Sequence, residues 1–447
     1  MQNKRILLIG EVYVDHHLDI VGNEGRISRL GGIFHAIRAC NALGLEFAFA
    51  YYGPTYLEED INQYGTVVLG AKKVYQLGIV DRAPNVMLIG KSDESGNQLY
   101  DNILCKQVEY IEKMPLRQVV EEFMPSDIMI FPGRYGNSKV LNSLLDYEGR
   151  LHIDMNYDCT DILKWENTNI ETVFLSTSST TYAEYFKEES YEPLIECFSS
   201  KNIQKLLVKE NRGGSWCYDF QKNKSYESPA FTSESLHSVG VGDVYDIAYI
   251  CEMHSVNTEY NMRLASWVAS RYSCTLKHEK FIEDVKILIQ NVGNVLDADG
   301  IRVPWNQRKE YPIYMAAPDF DHVDTKNLDD LVEALRYHNF CPRLPVRENG
   351  QVNEKMDIGK ELEVFGKDLE LLKECKLMIA TLLYNDQGTL VEIGNYQANK
   401  KPIILFDPYK KMDNMFLKNS CEFYCSNVSE VVDVVFQLIS RMVTNEK

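Results

Sequence analysis

The sequence predicts an α/β protein made of a large domain followed by a smaller one. Its 447 residues exceed what one ordinary hydrophobic core covers. Short apolar runs bounded by turn residues alternate with segments of helical periodicity, which is typical of parallel sheets covered by helices. A polar, non-periodic stretch separates two such series. We therefore expect one domain over residues 1–303, a linker over 304–311 and a second domain over 312–447.

The first series combines buried strands with two more polar strand segments. A helix over 34–43 ends at Gly44, whereas 12–21 alternates in polarity and 85–104 is typical of a hairpin with its turn at 92–97. Strands with one polar face predict a small separate sheet that covers a site. The buried strands are predicted over 6–9, 47–51, 128–131, 151–153, 173–175 and 206–208.

The second series alternates strands and helices, so it predicts a second parallel sheet. Its elements are a strand over 312–316, a helix over 325–338, a loop over 341–353, a helix over 358–374, a strand over 377–383, a helix over 389–399, a strand over 402–406 and a helix over 428–443.

Composition restricts the class of protein. The net charge of −18, with no basic stripe, argues against nucleic acid and anionic membranes as partners. Eleven scattered cysteines without a Cys-x-x-Cys pair are typical of thiols in a reducing compartment. No apolar run approaches the roughly 18 residues that span a bilayer, and no histidine spacing is typical of a structural metal. We expect a cytoplasmic protein with small-molecule substrates.

A candidate phosphate-transfer motif lies at Gly240-Val241-Gly242-Asp243, at the start of a helical segment. Backbone N–H groups at a helix N-terminus bind anions, and glycines let the backbone approach a phosphate closely. An aspartate in the first turn can accept a proton from an attacking hydroxyl. An ordinary turn is the alternative for such a short motif.

The order of motifs over residues 1 to about 300 resembles the PfkB, or ribokinase-like, family of sugar and nucleoside kinases. The quoted motifs are Gly31-Gly32, Asp154-Met155-Asn156, Glu210-Asn211-Arg212-Gly213-Gly214 and Gly240-Val241-Gly242-Asp243. The resemblance implies a ribokinase-like three-layer α/β domain with a small β lid. It also implies ATP as phosphate donor, with Mg²⁺ arriving with the ATP. It makes Asp243 the catalytic base, and it assigns substrate binding to Asp15, Gly31 and Gly32 and cofactor binding to Gly240, Val241, Gly242, Gly213 and Glu184.

Several positions depart from the PfkB pattern. His237-Ser238 replaces the usual Asp-Thr before the anion hole, and Glu184 is kept from an Asn-x-x-Glu motif whose asparagine is Thr181 here. The asparagine expected after the double glycine is replaced by His35 or Ala36, and the arginine after Asp-x-Asn is missing, with Asp158 in that neighbourhood. These departures leave open a kinase-like fold that is retained for binding or assembly.

A second candidate site combines Asp386 and Glu392, which lie six positions apart with Gly388 between them. They lie where a predicted strand is followed by a helix. Open α/β sheets place ligands at such positions. A reaction at a sugar C1 uses one carboxylate to attack or stabilise an oxocarbenium-like centre. A second acidic group donates or accepts the proton. The motif therefore predicts a glycosidic site.

Five segments follow one another in the second series: the strand 313–318 with its loop at 319–320, the loop 345–350, Asp368-Leu369, the turn at Asp386 and Asn414-Met415. In this order, over residues 311 to about 420, they resemble the nucleoside 2-deoxyribosyltransferase family, which implies a flavodoxin-like parallel α/β domain. The resemblance implies that Glu392 attacks C1′, that Tyr314 hydrogen-bonds this nucleophile and that Asp386 positions the substrate. Asp368 would supply the proton of the leaving base, and Asn414 would reach the sugar 5′ end from a neighbouring subunit. A carboxylate beside a tyrosine hydroxyl is expected to stay ionised.

Two further residues complete the predicted substrate site. Gly388 lies in the turn before the helix, and Arg347 is a candidate for contact with a 5′-phosphate, with a plain surface charge as the alternative.

The combined prediction is a bifunctional enzyme of nucleoside or sugar metabolism. It would cleave or exchange an N-glycosidic bond through Glu392 and phosphorylate a sugar or nucleoside hydroxyl through Asp243. The alternative is a single glycosyl hydrolase or transferase whose kinase-like domain is a nucleotide-binding regulator or sensor, as in a nucleotide-depleting defence effector. The resemblance also implies a homo-oligomer, because Asn414 would act across a subunit contact.

Overall fold

In the computed structural model, strands and helices alternate around two separate sheets, and the predicted α/β fold class is confirmed. Described residues up to Arg302 form the first unit, and those from Val303 onward form the second. No helix in the described part of the chain has the length and apolarity that a bilayer crossing requires. The structure describes residues 4–18, 26–81, 85–90, 100–103, 109–155, 169–185, 190–231, 235–253, 257–293, 297–351 and 357–445.

The first unit is built on a long, largely parallel sheet. The described strands run in the order β13-β12-β11-β10-β9-β8-β1-β3-β4-β7, with antiparallel pairs only at the two ends. The strands are β1 (Arg5–His17), β2 (Ile27–Gly32), β3 (Glu46–Gly53), β4 (Val74–Asp81), β5 (Val86–Ile89), β6 (Tyr100–Ile103), β7 (Glu109–Glu112), β8 (Asp127–Ile130), β9 (Arg150–Asp154), β10 (Ile170–Ser176), β11 (Ile203–Lys209), β12 (Ser215–Asp219) and β13 (Lys224–Ser228).

One strand connects this sheet to a small second group of strands. β1 pairs with β3 and β8 through its buried first half, and its second half pairs with β2 and β5. The sequence suggested two separate segments, 6–9 and 12–21, but the chain continues as one strand of 13 residues. β5 and β6 form the predicted hairpin, and its predicted turn at 92–97 lies outside the described residues.

Helices cover the main sheet, and an apolar core joins it to α1, α7, α8 and α9 through residues such as Ile37, Val244, Val268 and Phe281. The pair β12–β13 and the helices α8 and α9 were not predicted individually. The helices are α1 (Phe34–Ala42), α2 (Glu58–Gln63), α3 (Leu116–Phe123), α4 (Asn137–Asn142), α5 (Thr180–Tyr185), α6 (Glu192–Ser199), α7 (Val241–Ile250), α8 (Thr258–Ser273) and α9 (His278–Gln290), with shorter turns at Thr55–Leu57, Tyr64–Val68 and Asn211–Gly213.

The second unit has a parallel sheet in the described order β15-β14-β16-β17-β18. Its strands are β14 (Ile313–Ala316), β15 (Pro342–Arg343), β16 (Leu377–Thr381), β17 (Ile403–Phe406) and β18 (Phe423–Cys425). Its helices are α10 (Lys326–Tyr337), α11 (Pro345–Asn349), α12 (Ile358–Glu374), α13 (Gln387–Ala398), α14 (Met415–Ser420) and α15 (Val428–Asn445).

Four short elements of this unit were not predicted from sequence periodicity. The predicted loop over 341–353 contains β15 and α11, and neither α14 nor β18 was predicted. Elements of two to six residues show less than two helical turns or too few alternations for a period to be recognised.

The segment 304–311 contains a 3₁₀ helix over Trp305–Glu310. Arg308 is fully buried there, and it donates hydrogen bonds to the carbonyls of Val303 (3.1 Å) and His338 (2.9 Å). Its guanidinium lies 5.0 Å from the Trp305 ring centroid and 4.9 Å from that of Phe436. Aromatic faces and carbonyls stabilise this buried cation, so a segment that is polar in sequence packs within the second unit.

Candidate active sites

Gly240 and the first turn of α7 place Asp243 in a buried position of the first unit. Gly240 has a φ of +71°, and a β-carbon on it would overlap the His35 ring, so both backbone and space require glycine here. The first N–H groups of an α-helix lack acceptors within the helix and favour an anion. The predicted anion hole and the candidate base are therefore part of one helix start.

The Asp243 carboxyl has a proton affinity suited to base catalysis near neutral pH. Burial raises its pKa to about 7, the Asp154 carboxylate adds to the rise, and the Lys209 ammonium opposes it. A general base acts best when its pKa lies near the working pH.

Lys209, at the end of β11, forms a buried ion cluster beside Asp243. Its Nζ lies 2.8 and 2.9 Å from the two carboxylate oxygens of Asp246 and 3.4 Å from Asp154. Burial disfavours the ammonium, but the two carboxylates outweigh burial and raise the pKa of Lys209. The cluster ties α7 to the ends of β9 and β11. Sequence reasoning missed Lys209 and Asp246, although Asp246 lies one helical turn after Asp243.

Asp15 and Gly31 meet across the pairing of β1 with β2. A β-carbon on Gly31 would overlap the Asp15 carboxylate, so the glycine leaves room for that side chain. His35 Nε2 lies 3.1 Å from Asp15 Oδ2, and the His35 ring also lies against Gly240. The structure thus brings Asp15, Gly31 and the Gly240 turn together around His35, which occupies the region where the PfkB pattern has an asparagine.

The Asp15 carboxyl is held in its ionised form. Burial raises its pKa, but His35 and the guanidiniums of Arg29 and Arg38 together lower it below the ordinary value. Gly32, the next residue of the double glycine, has a φ of +60° and a β-carbon there would overlap the Glu11 carbonyl oxygen.

The other predicted cofactor residue with a described environment is Gly213. Its carbonyl accepts a hydrogen bond of 2.9 Å from Arg302, which also pairs with the buried Glu210. Glu184 lies on α5, with its side chain outside the described part, and Asp158 lies outside the described residues.

Tyr314 and Glu392 form the centre of the candidate site in the second unit. The Tyr314 hydroxyl, on β14, donates a hydrogen bond of 2.6 Å to Glu392 Oε1 on α13. Burial raises the pKa of Glu392 to about 7; the Tyr314 hydroxyl lowers it, and the carboxylates of Asp368 and Asp386 raise it further. Burial thus acts against the tyrosine hydroxyl, which was expected to keep this carboxylate ionised.

Asp386 starts the helix that carries the candidate nucleophile. Its Oδ2 accepts hydrogen bonds from the Thr389 backbone N–H (2.7 Å) and from the Thr389 hydroxyl (2.9 Å). This N-cap fixes the first turn of α13, so Asp386 sets the position of Glu392 two turns later. A β-carbon on Gly388 would lie 3.1 Å from Asp386 Oδ2, so a larger residue there would require a small shift of the cap.

Asp368 lies on α12 with a partner that the sequence did not indicate. Asn349 Nδ2, on α11, donates a hydrogen bond of 2.7 Å to Asp368 Oδ1. Burial raises the pKa of Asp368, and the Asn349 hydrogen bond opposes the rise. A carboxyl with a raised pKa is suited to supply a proton to a leaving group.

Asn414 and Arg347 have local partners in this chain. Asn414 caps α14 by accepting hydrogen bonds from the N–H groups of Phe416 (2.8 Å) and Leu417 (3.3 Å). Arg347 forms ion pairs of 2.6 Å with Asp319 and with Asp329. Their roles toward a sugar 5′ end and a 5′-phosphate stay predictions.

Cysteines and metal ligands add no further site in the described residues. Nine cysteines are described, and all are free thiols. Within the described ranges, no group of three or more His, Cys, Asp or Glu side chains has the arrangement of a metal site.

Residues 313–425 match the family model described as nucleoside 2-deoxyribosyltransferase. This match contains Tyr314, Asp368, Asp386, Glu392 and Asn414, and it confirms the family resemblance of the C-terminal region. A search of curated proteins finds no match to this chain.

Several solved structures are similar to the larger part of the chain. Arabidopsis thaliana ribokinase complexed with ribose and ATP has 13% identity and a TM-score of 0.46, covering 67% of this chain and 100% of that one. Ribokinase from Giardia lamblia has 14% identity and a TM-score of 0.48 over 64% and 99%. Phosphofructokinase-2 from Escherichia coli, in complex with substrates and products, has 15% identity and a TM-score of 0.46 over 64% and 99%.

Proposed function

We propose that this chain is a bifunctional enzyme of nucleoside or sugar metabolism, with one site in each unit. The second unit would break, and re-form with another base, the bond between a nucleobase and (deoxy)ribose. The observation that carries this proposal is the 2.6 Å hydrogen bond between Tyr314 and Glu392, with Asp368 and Asp386 as neighbouring carboxyls. The match of residues 313–425 to nucleoside 2-deoxyribosyltransferases supports it.

The proposed glycosidic reaction proceeds in two displacements. The ionised Glu392 oxygen attacks C1′, the C1′–N bond breaks, and its electron pair leaves with the base, which takes the Asp368 proton. Water or a second base then attacks C1′ of the glycosyl-enzyme, which frees the Glu392 carboxylate. The incoming nucleophile returns a proton to Asp368, so the site regains its starting state.

The first unit would transfer the γ-phosphoryl group of MgATP to a substrate hydroxyl. The ionised Asp243 takes the proton of that hydroxyl as its oxygen attacks phosphorus, and ADP leaves. The Gly240-Val241-Gly242 turn at the start of α7 would hold the phosphate, since the first N–H groups of a helix favour an anion and Asp243 lies in that first turn. Asp15 would bind the hydroxyls of the sugar.

A panel of nucleosides, nucleoside monophosphates and pentoses, with and without MgATP, tests this proposal. Chromatography that separates bases, ADP and phosphorylated products is expected to show base release without ATP and phosphorylation only with ATP. Absence of base release from every substrate would contradict the glycosidic function. Absence of ADP formation would contradict the kinase function.

One observation favours a second candidate, in which only Glu392 performs chemistry and the first unit binds a nucleotide as a regulator. His35 occupies the region of an expected asparagine and pairs with Asp15, the residue that would bind the substrate. In that case, ATP would bind to the first unit without phosphate transfer, and it would change the rate of base release.

The rate of base release is expected to rise with pH through about 7. Attack requires the ionised carboxylate, and the pKa of Glu392 is raised to about 7, so protonation below that pH removes the nucleophile. Tyr314→Phe removes a hydrogen bond that lowers this pKa, and the rising limb of kcat/KM against pH should move to higher pH. Phosphorylation provides the control, since its pH profile should not change. A rising limb near the ordinary glutamate pKa of about 4.3 would contradict this.

An exposed apolar stripe on α12 supports the proposed homo-oligomer. Ile358, Leu362 and Phe365 lie on one face of the helix, at spacings of four and three residues, and are 73%, 64% and 58% exposed. On α14, directly after Asn414, Phe416 is 79% exposed. Exposed apolar patches of this kind mark protein contacts.

Phe365→Asp is expected to dissociate the oligomer and to lower base release by at least about tenfold, since a loss of 1.4 kcal/mol already corresponds to tenfold. Burial of an aspartate in the contact is unfavourable, and Asn414 would no longer reach a neighbouring site. Light scattering after size exclusion measures the mass. Lys360→Asp, an exposed polar position on the same helix, is the matched control. A monomeric wild-type protein with full base release would rule out this role of Asn414.

A further inference from the structure

Two arginines of the first unit lie beside Asp15. Arg29 is directly opposite Asp15 in the pairing of β1 with β2, so both side chains stand on the same face. Arg38 lies on α1 one turn after His35, which contacts the Asp15 carboxylate, and Arg38 is only 3% exposed. A strand pair and a helix thus bring two guanidiniums to one carboxylate.

These guanidiniums keep buried donors unused. Arg29 Nε and Nη2 and Arg38 Nη1 are buried without a hydrogen-bond acceptor among the described residues. The Arg29 guanidinium instead lies 5.6 Å from the Tyr272 ring centroid, and that of Arg38 lies 6.0 Å from the Tyr64 ring centroid. Buried charged donors without acceptors are unfavourable in a folded protein, which indicates that an acceptor is missing from the site.

The histidine side chains near Asp15 add no positive charge at neutral pH. Burial, with the Arg29 guanidinium adding to it, lowers the pKa of His17 to about 4 and that of His237 to about 3. Burial also lowers the pKa of His35 to about 4, against the raising effect of Asp15. The Asp15 carboxylate interacts with both guanidiniums, and burial raises the pKa of Asp243, the other carboxyl that interacts with Asp15, to about 7. A further anion would complement the guanidinium donors that remain unused.

We propose that Arg29 and Arg38 form a binding subsite for the phosphate of a phosphorylated pentose, either free as a pentose 5-phosphate or within a nucleoside 5′-monophosphate. A guanidinium presents N–H groups in one plane that match phosphate oxygens, and two of them offset the charge of a phosphate dianion. Asp15, on the same face as Arg29, would bind the sugar hydroxyls of the same molecule. The inference rests on the proposed kinase function and names its substrate class.

The subsite also gives a chemical link between the two units. Hydrolysis of a nucleoside 5′-monophosphate at Glu392 consumes one water and yields a free base and a pentose 5-phosphate. That product carries the phosphate that Arg29 and Arg38 would bind, so the glycosidic reaction is the class of reaction that supplies the kinase substrate.

Calorimetric titration of the full chain with ribose 5-phosphate, adenosine 5′-monophosphate, ribose and inorganic phosphate tests the subsite. We expect Arg29→Gln to raise the Kd for a phosphorylated probe by about 10- to 100-fold, the range of a charged hydrogen bond, and to leave ribose binding unchanged. Arg38→Lys should retain more affinity than Arg38→Gln, because it keeps the charge. Arg117→Gln, on α3 with a 74% exposed side chain, is the matched control.

Thermal unfolding without ligand separates a binding role from a structural one. Arg29→Gln removes donors that have no acceptor, but it also removes a charge that favours the ionised Asp15. A binding role therefore predicts a loss of affinity for phosphorylated probes whatever the change in melting temperature. A lower melting temperature together with unchanged affinity for both phosphorylated probes would mean that Arg29 only stabilises the fold, and it would overturn the proposal.

The binding data also separate this inference from the kinase function. If the affinity for phosphorylated probes depends on Arg29 but no ADP forms, the phosphate subsite is supported and the kinase function is contradicted. If the protein phosphorylates sugars or nucleosides that carry no phosphate, and Arg29→Gln leaves their KM unchanged, the kinase function is supported and the phosphate subsite is contradicted. Equal affinity for ribose and both phosphorylated probes would reject the subsite as well. Preference for one probe identifies the source of the phosphate.

Discussion

Glu392→Gln is expected to lower base release by about 10³-fold or more, because an amide oxygen does not replace a carboxylate as the nucleophile at C1′. The change keeps the size of the side chain, and the Tyr314 hydroxyl can still donate its hydrogen bond to Gln Oε1. The folded site should therefore persist while the chemistry is lost. Chromatography of the free base, with the substrate that the panel identifies, measures the effect.

The control for this variant is Glu361→Gln, an exposed glutamate in the first turn of α12. It should release base at the wild-type rate. Phosphorylation should continue in both variants, since Glu392 belongs to the second unit. Base release by Glu392→Gln within tenfold of the wild-type rate would remove Glu392 from the mechanism.

Asp243→Asn is expected to lower ATP-dependent phosphorylation by about 10²- to 10⁴-fold, the contribution of a positioned general base. Asparagine has the same shape but cannot take the proton of the attacking hydroxyl. It also avoids a buried carboxyl whose pKa burial raises to about 7, so α7 should remain folded. ADP formation and the phosphorylated product are measured together.

Asp60→Asn, an exposed position on α2, serves as the control for this effect. Base release should be unchanged in both variants, which would show that the two sites work separately. Phosphorylation that survives in Asp243→Asn would mean that another group accepts the proton. In that case the Gly240–Asp243 turn would act in phosphate binding alone.

Sequence periodicity predicted the long helices of the second unit well. The helix predicted over 358–374 has those bounds in the structure, and the helix at Asp386 differs by two residues at its start. β1 was divided in the prediction because its burial changes along its length. Its first half is covered on both faces, and its second half belongs to the smaller group of strands. A strand whose pattern changes from continuously apolar to alternating polar and apolar residues is easily predicted as two separate segments.

The candidate sites were predicted through motif resemblance, but their electrostatics were not. The motif resemblance pairs Tyr314 with Glu392, as their hydrogen bond does, whereas the raised pKa of Glu392 depends on burial that sequence spacing does not reveal. The position of Arg29 opposite Asp15 depends on strand register, and a shift of one residue would place it on the other face. Lys209 bonds to Asp246 across 37 positions of sequence, and no local pattern predicts such a contact.

The most direct test of the central claim is mass spectrometry of the protein after incubation with a 2′-fluoro-substituted nucleoside. The fluorine slows breakdown of a glycosyl-enzyme because it destabilises the oxocarbenium-like centre. We expect one added fluoropentosyl group, located by peptide mapping on Glu392, and no added mass in Glu392→Gln. Release of the base from this analogue, with no added mass on Glu392 or with the group on another residue, would contradict the proposed mechanism.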